Sequence, residues 1–329
     1  MAPQDSAPRA ATTRTRPLPK GAGAGPHLAL VAVQLMFGTW PIFGKIALRT
    51  LPSTGIVAVR VAGGALAFAL LQRLTRHVPI RQRSDYALLF LYSLLGVVVN
   101  QLLFTKGLAL STAVNATLIG TAIPVFTLLV SILLGRERAS LGKALGMTLA
   151  AAGVVFLVNP FEADLSGGRA VGNLLIVANT LCYGAYIAVS QDIIKRYGAL
   201  TVIAWLFGLG SIVAVPFGAV QMFAAPPADL TWQVWLVMVY IVLVPTVGAY
   251  YLNAWALARV SPSTVAVYIY LQPLIASTLA PLVLGDEERW NWRTAAAAAL
   301  IFAGVAVVTL GARGPAADEV SERPEAMGH

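Results

Sequence analysis

The chain has 329 residues, of which 58% are hydrophobic and only 11% are charged, and its mean hydropathy is +0.76. A soluble domain carries about 25% charged residues, so this composition excludes a water-soluble globular protein and indicates a polytopic membrane protein. The single cysteine, Cys182, excludes disulfide frameworks and cysteine metal sites, and the three histidines (His27, His77 and His329) are too far apart in sequence to suggest a metal site.

Ten apolar stretches follow one another along the chain, each about long enough to cross a bilayer. A spanning helix needs about 20 mostly apolar residues. This length predicts spans at approximately residues 27–48, 54–72, 85–106, 111–134, 141–158, 171–191, 200–223, 232–256, 261–284 and 293–311. The composition of residues 1–26 and 312–329 predicts two disordered tails, of which the N-terminal one is basic. The expected fold class is an all-α integral membrane protein.

The positive charges predict the orientation of these spans. With the N-terminus in the cytoplasm, sixteen Lys and Arg fall on the inside and five on the outside, and Lys45 and Arg60 remain within spans. Cytoplasmic loops carry such an excess, which predicts a multi-pass protein of the cell (inner) membrane with both termini cytoplasmic. The net charge of +9 is therefore explained by topology, and nucleic acid is not an expected partner.

Two segments half a chain apart repeat one pattern. Residues 118–137 read LIGTAIPVFTLLVSILLGRE and residues 269–287 read IYLQPLIASTLAPLVLGDE. Pro124 and Pro273 are 149 residues apart, and the closing Glu137 and Glu287 are 150 apart. The sequence thus predicts an internal duplication, with a first repeat at 27–158 and a second at 159–311.

Further matches extend the duplication over both halves. Ala152-Gly153-Val154 answers Ala303-Gly304-Val305, and Phe37-Gly38-Thr39-Trp40 more weakly answers Tyr183-Gly184-Ala185-Tyr186. Five spans in each half is an odd number, so the second copy must enter the membrane from the opposite side. Inverted repeats support alternating access around a site near the midplane of the membrane.

These motifs carry a family resemblance. The aromatic-glycine motif ending in Trp40, the small-Leu starts before spans four and nine (Gly107-Leu108-Ala109 and Ala256-Leu257-Ala258), the interior prolines and the two Leu-Gly-x-Glu endings resemble the drug/metabolite transporter superfamily, of the ten-helix EamA type. The resemblance covers residues 28–311. It implies two inverted five-helix repeats around a central cavity lined mainly by spans one, three, four, six, eight and nine. Members export amino acids, other metabolites or drugs, and relatives carry nucleotide sugars or phosphorylated sugars.

The charges inside the spans bear on the substrate, because ionisable groups at membrane depth usually face a cavity or a partner. Every acidic residue lies in a loop, in a tail or at a helix end. This pattern argues against a proton exchanger for cationic drugs and favours a neutral, zwitterionic or anionic substrate. Lys45 and Arg60 have two interpretations: snorkelling to the outer headgroups, or contact with a substrate carboxylate or phosphate.

Aromatic and amide side chains within the spans are the other candidates for substrate binding. Small-molecule sites are largely apolar and aromatic with a few placed polar groups. Together with Lys45 and Arg60, the candidates are Trp40, Asn100, Gln101, Tyr183, Tyr186, Tyr251 and Tyr270. The alternative is that these residues serve interhelical packing and interface anchoring.

The prolines and closing glutamates each allow more than one role. Pro124 and Pro273 are hinge candidates, with ordinary kinks as the alternative. Glu137 and Glu287 fit solvated charges at the headgroups, anchors for the start of the next helix, or, less well, direct substrate contacts.

The sequence contains no phosphate-binding nucleotide loop and no cluster of acids, bases and nucleophiles within the spans, so neither an enzyme nor a cofactor is expected. The predicted function is transport, as an exporter of a small polar metabolite such as an amino acid. The alternatives are a nucleotide-sugar or organophosphate antiporter, and a membrane scaffold or sensor that transports nothing. The expected partners are a small-molecule substrate and the lipid bilayer. The oligomeric state stays open, and a monomer is compatible with the sequence.

Overall fold

The fold is described from a computed structural model over residues 24–75, 78–135, 140–158, 168–223, 231–260 and 262–311. These ranges form helices joined by short turns and contain no strand. We number the helices α1 (Ala24–Leu48), α2 (Ser53–Leu74), α3 (Arg83–Leu110), α4 (Ala113–Leu133), α5 (Leu141–Val158), α6 (Arg169–Tyr197), α7 (Ala199–Phe223), α8 (Trp232–Leu257), α9 (Pro262–Val267, Tyr268–Tyr270 and Leu271–Leu284) and α10 (Trp292–Gly311).

Eight helices in the described ranges, α1 to α4 and α6 to α9, are long and apolar enough to cross a membrane. In α5 the corresponding apolar part is shorter, Ala144–Phe156. Large apolar side chains on the outer faces, such as Leu66, Leu133 and Leu282, are about three-quarters exposed, which suits contact with lipid rather than water. The prediction of an all-helical, multi-pass membrane protein is thus confirmed, whereas the count of ten spans and the inverted second half stay predictions.

Several helix boundaries differ from those predicted. Helix α1 begins at Ala24 instead of residue 27, and α6 continues through Tyr197, beyond the end at residue 191 that was predicted for the sixth span. The only interruption there is Gly198, whose φ of 82° is a conformation that glycine adopts without strain. Glu137 and most residues of both predicted tails lie outside the described ranges, and the side chain of Glu287 is likewise not described.

The helices pack in pairs that relate the two halves of the chain. Helix α2 packs along α7, and α5 packs along α10. Helix α6 packs against α3 and α4, while α1 packs against α8 and α9. Each pair therefore has a counterpart when helix numbers are shifted by five.

The contact between α5 and α10 depends on two glycines in the motif that the sequence repeats. A Cβ added at Gly153 would lie 2.9 Å from the backbone nitrogen of Ile301. A Cβ at Gly304 would meet the backbone of Gly146 and Ala150. Small residues allow such close approach between membrane helices, so the repeated Ala-Gly-Val motif is explained by this interface.

Two helices contain π-helical segments that the sequence pattern does not predict. The segment Leu94–Val98 interrupts α3 and the segment Leu243–Gly248 interrupts α8. Their first residues are 149 positions apart, the same offset as the repeated prolines. π segments are rare and frequently occur at functional sites.

The hinge candidates follow breaks in regular helix geometry. Helix α4 is interrupted by a turn at Thr121–Ala122, immediately before Pro124 in its second part. Helix α9 passes through the 3-10 turn Tyr268–Tyr270 before Pro273. A proline lacks the N–H that would continue the preceding helix, which explains both positions, and the hinge role remains a prediction.

A glutamate anchors a helix start, although not the pair expected. The carboxylate of Glu288 accepts hydrogen bonds of 3.0 Å from the backbone nitrogens of both Ala113 and Val114 at the start of α4. The first amides of a helix lack intrahelical partners and favour negative charge. The turn after α9 is thereby tied to the N-terminus of α4, in addition to its own connection to α10.

Candidate substrate cavity

A cavity lies between the two halves of the helical bundle. It holds about 520 Å³ of empty space, counting the part continuous with the outside. Seven helices (α1, α2, α3, α4, α6, α8 and α9) contribute to its wall. The lining residues combine aromatic rings with amides and a single cation: Phe37, Trp40, Arg60, Asn100, Gln101, Phe104, Ile123, Asn179, Tyr183, Tyr250 and Gln272.

Arg60 is the charged residue of this wall. The residue is only 2% exposed, and its guanidinium carbon lies 3.9 Å from the centre of the Trp40 ring. Its Nε donates a 3.0 Å hydrogen bond to the hydroxyl of Thr246, which in turn donates to the carbonyl of Ile241 at 2.7 Å. Thr246 belongs to the π segment of α8, so this segment and the indole of Trp40 together orient the guanidinium.

The guanidinium of Arg60 keeps unused donor capacity. Within the described ranges, neither of its Nη groups has a hydrogen-bond partner, and no carboxylate lies within ion-pairing distance. The described lining of the cavity contains no Asp or Glu. An unpaired buried charge is costly, and an anion entering the cavity would offset that cost.

A chain of polar contacts crosses the cavity wall near the π segment of α3. The Tyr250 hydroxyl donates to the carbonyl of Gly96 at 3.1 Å, and Asn179 Nδ2 donates to the carbonyl of Asn100 at 2.9 Å. Gln101 Nε2 reaches the Tyr250 hydroxyl at 3.5 Å, while its Oε1 is buried without a partner among the described residues. The wall therefore holds an acceptor without a described partner, Gln101 Oε1, in addition to the donors of Arg60.

Two further contacts fix the polar groups that α6 and α9 bring to the cavity. Gln272 Nε2 donates to Gln34 Oε1 at 2.7 Å, and Asn253 Nδ2 donates to the Tyr183 hydroxyl at 3.1 Å. Because the Gln272 amide and the Tyr183 hydroxyl are each held by a neighbouring helix, the lining is preorganised.

Five of the nine predicted binding residues line the cavity: Trp40, Arg60, Asn100, Gln101 and Tyr183. Arg60 does not snorkel to an exposed position, since it is almost fully buried.

The other four predicted residues are placed elsewhere. Lys45 donates to the carbonyls at the junction between α3 and α4. The Tyr186 ring packs against Gly96 behind the lining. Tyr251 lies in a separate groove near the ends of α6 and α8. Tyr270 packs edge-on against Phe302 of α10.

Six lining residues lie outside those nine: Phe37, Phe104, Ile123, Asn179, Tyr250 and Gln272. Helical spacing gives a signal for two of them, because Phe37 precedes Trp40 by three positions and Phe104 follows Asn100 by four, and such residues share one helix face. No comparable signal distinguishes Tyr250 from Tyr251.

Two side chains hold equivalent helix junctions in the two halves. Lys45 Nζ donates to the carbonyls of Leu108 (3.5 Å) and Ser111 (2.7 Å), between α3 and α4. Gln191 Nε2 donates to the carbonyls of Leu257 (3.1 Å) and Val260 (3.0 Å), between α8 and α9. Leu108 and Leu257 are 149 residues apart, and so are Ser111 and Val260. We call these contacts the Lys45 clamp and the Gln191 clamp.

Substitution of Gln191 by leucine is expected to lower the stability of the protein by about 1–2 kcal/mol, because two carbonyls at the end of α8 lose their donor. The thermal unfolding midpoint of the purified protein measures this change. Gln191→Lys is the matched control, since lysine is the residue of the other clamp and keeps the donors. Equal midpoints for the leucine and lysine variants would show that the clamp contributes nothing.

Helices suited to crossing a membrane, arranged around an internal cavity, define the molecule as a multi-pass membrane protein. The profile of the EamA-like transporter family matches the chain twice, at residues 25–159 and 170–310. The chain belongs to the EamA-like transporter family, and the resemblance to the drug/metabolite transporter superfamily inferred from its motifs is confirmed.

Two relatives that match most of the chain are transporters by name, and a third is a WAT1-related protein. An uncharacterized transporter of Archaeoglobus fulgidus is 27% identical over 287 residues, covering 86% of this chain and 96% of the relative. The uncharacterized transporter YetK of Bacillus subtilis is 21% identical, covering 91% of each chain. A WAT1-related protein of Arabidopsis thaliana is 23% identical, covering 79% of this chain and 75% of the relative.

A protein of known crystal structure shares the fold. The match covers 89% of this chain and 100% of the other, with a TM-score of 0.64 and 21% sequence identity.

Proposed function

We propose that the protein exports a small polar metabolite of the amino-acid class by alternating access around the cavity. The observation that carries this proposal is the guanidinium of Arg60, buried in the cavity wall without a carboxylate partner among the described residues. Arginine suits planar, two-point binding of a carboxylate. A substrate carboxylate would occupy its free Nη donors.

Other lining groups fit the remainder of such a substrate. The unpartnered Oε1 of Gln101 is an acceptor for a substrate ammonium group. The rings of Phe37, Trp40 and Phe104 supply apolar surface for a side chain. A nucleotide sugar or organophosphate would call for several cavity cations, whereas Arg60 is the sole cation of the described lining.

Alternating access draws support from the relation between the halves. The helix pairs, the π segments and the two clamps recur with a shift of five helices, about 149 residues. An odd number of spans per repeat makes the copies antiparallel, and rocking of one repeat against the other then exposes a central site to each side in turn. The membrane is the cell (inner) membrane, and both termini face the cytoplasm.

The test is flux in proteoliposomes that contain the purified protein. Efflux of labelled amino acids, compared with a labelled phosphorylated sugar, is expected for at least one amino acid and absent for the sugar. Arg60→Met in the same vesicles identifies flux that uses the cavity. Transport of the phosphorylated sugar alone would favour the antiporter, and no flux of either class would favour a scaffold or sensor.

The topology has a separate test. Reporter fusions at the N- and C-termini are both expected to report the cytoplasm. A C-terminus on the outer side would contradict the inverted repeat.

A further inference from the structure

A second polar site lies away from the cavity, in a groove formed by the last turns of α6 and α8 and the start of α7. Its lining includes two exposed cations, Lys195 and Arg259, and no carboxylate among the described residues. The guanidinium of Arg259 lies 3.9 Å above the Trp255 ring, and its Nη1 donates to the Trp255 carbonyl at 2.8 Å. Both contacts hold the cation at the groove.

Hydrogen-bond donors with no acceptor point to an anion at the same place. Gly198 N donates to the Ile194 carbonyl and Val202 N to the Gly198 carbonyl. The backbone amides of the three intervening residues, Ala199, Leu200 and Thr201, have no acceptor within the described ranges. The N-terminus of a helix is a favourable phosphate site, because these amides and the helix dipole both favour negative charge.

The side chain of Thr201 provides an independent indication. The residue lines the groove and is 3% exposed, yet its hydroxyl has no hydrogen-bond partner among the described residues. A phosphate oxygen in the groove would supply the partner that this hydroxyl lacks among the described residues.

Carboxylates near the groove do not oppose an anion there. Asp85 is engaged by the Tyr197 hydroxyl at 2.6 Å and by Arg196 Nη1 at 2.9 Å, so its charge is compensated locally. Asp192, one turn before Lys195, is not part of the lining.

We propose that this groove binds the phosphate of an anionic phospholipid headgroup. The groove lies where α6 and α8 end, with aromatic Tyr251 and Trp255 in its wall, as expected at the boundary between lipid and water. It is also at the membrane face that the positive charges assign to the cytoplasm. Basic pockets between helices at that face suit anionic headgroups. The proposal is independent of the cavity substrate.

The test uses the full-length protein in detergent, titrated with phosphatidylglycerol, with phosphatidylcholine or with soluble glycerol phosphate, and followed by the thermal unfolding midpoint. Stabilisation is expected with phosphatidylglycerol only. The double variant Lys195→Gln/Arg259→Gln is expected to raise the phosphatidylglycerol concentration that gives half of the full stabilisation about 30-fold. This change is equivalent to about 2 kcal/mol for two charges. Thr201→Val, which removes the hydroxyl and keeps the shape, is expected to weaken it less.

The matched control is Arg73→Gln/Arg83→Gln, which removes two exposed charges at the same end of the bundle but outside the groove lining. This control is expected to change the phosphatidylglycerol concentration for half of the full stabilisation less than twofold. If both double variants lost the same affinity for phosphatidylglycerol, the effect would come from general surface charge, and the proposal would be overturned. Stabilisation by glycerol phosphate that matches phosphatidylglycerol would replace the lipid with a soluble phosphate ligand.

Discussion

Replacing Arg60 with methionine is expected to reduce transport at least tenfold while leaving the thermal unfolding midpoint unchanged or higher. A charged hydrogen bond contributes about 1.5–3 kcal/mol, which corresponds to roughly 10- to 150-fold in affinity. The same substitution removes a buried cation that has no carboxylate partner among the described residues, and burial of an unpaired charge opposes folding. Opposite signs for activity and stability would identify Arg60 as a residue retained for binding.

Two further variants make this result specific. Arg60→Lys keeps the charge without the planar pair of donors, so we expect an intermediate loss of transport. Arg73→Met removes an arginine from the exposed last turn of α2 and is expected to leave transport unchanged. Unaltered flux in Arg60→Met, measured in proteoliposomes with the same protein content, would remove the central element of the proposed function.

The second large effect is expected at the interface between α5 and α10. Gly304→Ala places a Cβ against the backbone of Gly146 and Ala150, where no flexible side chain can yield. The helices must separate, at a cost of about 1–3 kcal/mol typical of overpacking. A lower thermal midpoint and a lower yield of monodisperse protein in detergent are the measurements.

Gly208 provides the matched control within α7, because a Cβ added there meets no atom within 4 Å. Gly208→Ala gains the helix propensity of alanine, about 1 kcal/mol, without a clash. We expect a neutral or higher thermal midpoint. If both alanine variants behaved alike, close packing of α5 and α10 would not be the reason for the repeated motif.

The sequence predicts the helices better than it predicts their faces. Apolar length places the helices to within a few residues, because the lipid interior requires it. The end predicted for the sixth span at residue 191 was wrong because charged residues at a helix end can remain helical in the headgroup region, and α6 stops only at Gly198.

The candidate site was predicted in part because the lipid interior also disfavours polar side chains. Arg60 and Gln101 stand out as polar residues in apolar helices, where a cavity or a partner is required. Tyr250 and Tyr251 are equivalent by composition, but only Tyr250 faces the cavity. Apolar periodicity cannot separate them in a helix that has apolar residues on all sides, and the π segment before them changes the helix geometry.

The two π segments also set the angular phase of everything that follows them. An α-helix has 3.6 residues per turn, so one additional residue rotates the downstream part by about 100°. Asn100 and Gln101 follow the segment Leu94–Val98, and Tyr250 follows the segment Leu243–Gly248. Regular winding would turn all three side chains away from the cavity without changing a single one of them. The binding surface is therefore encoded by residue count as well as by residue identity, because each π segment absorbs the one additional residue that regular winding would turn into a rotation of the downstream helix.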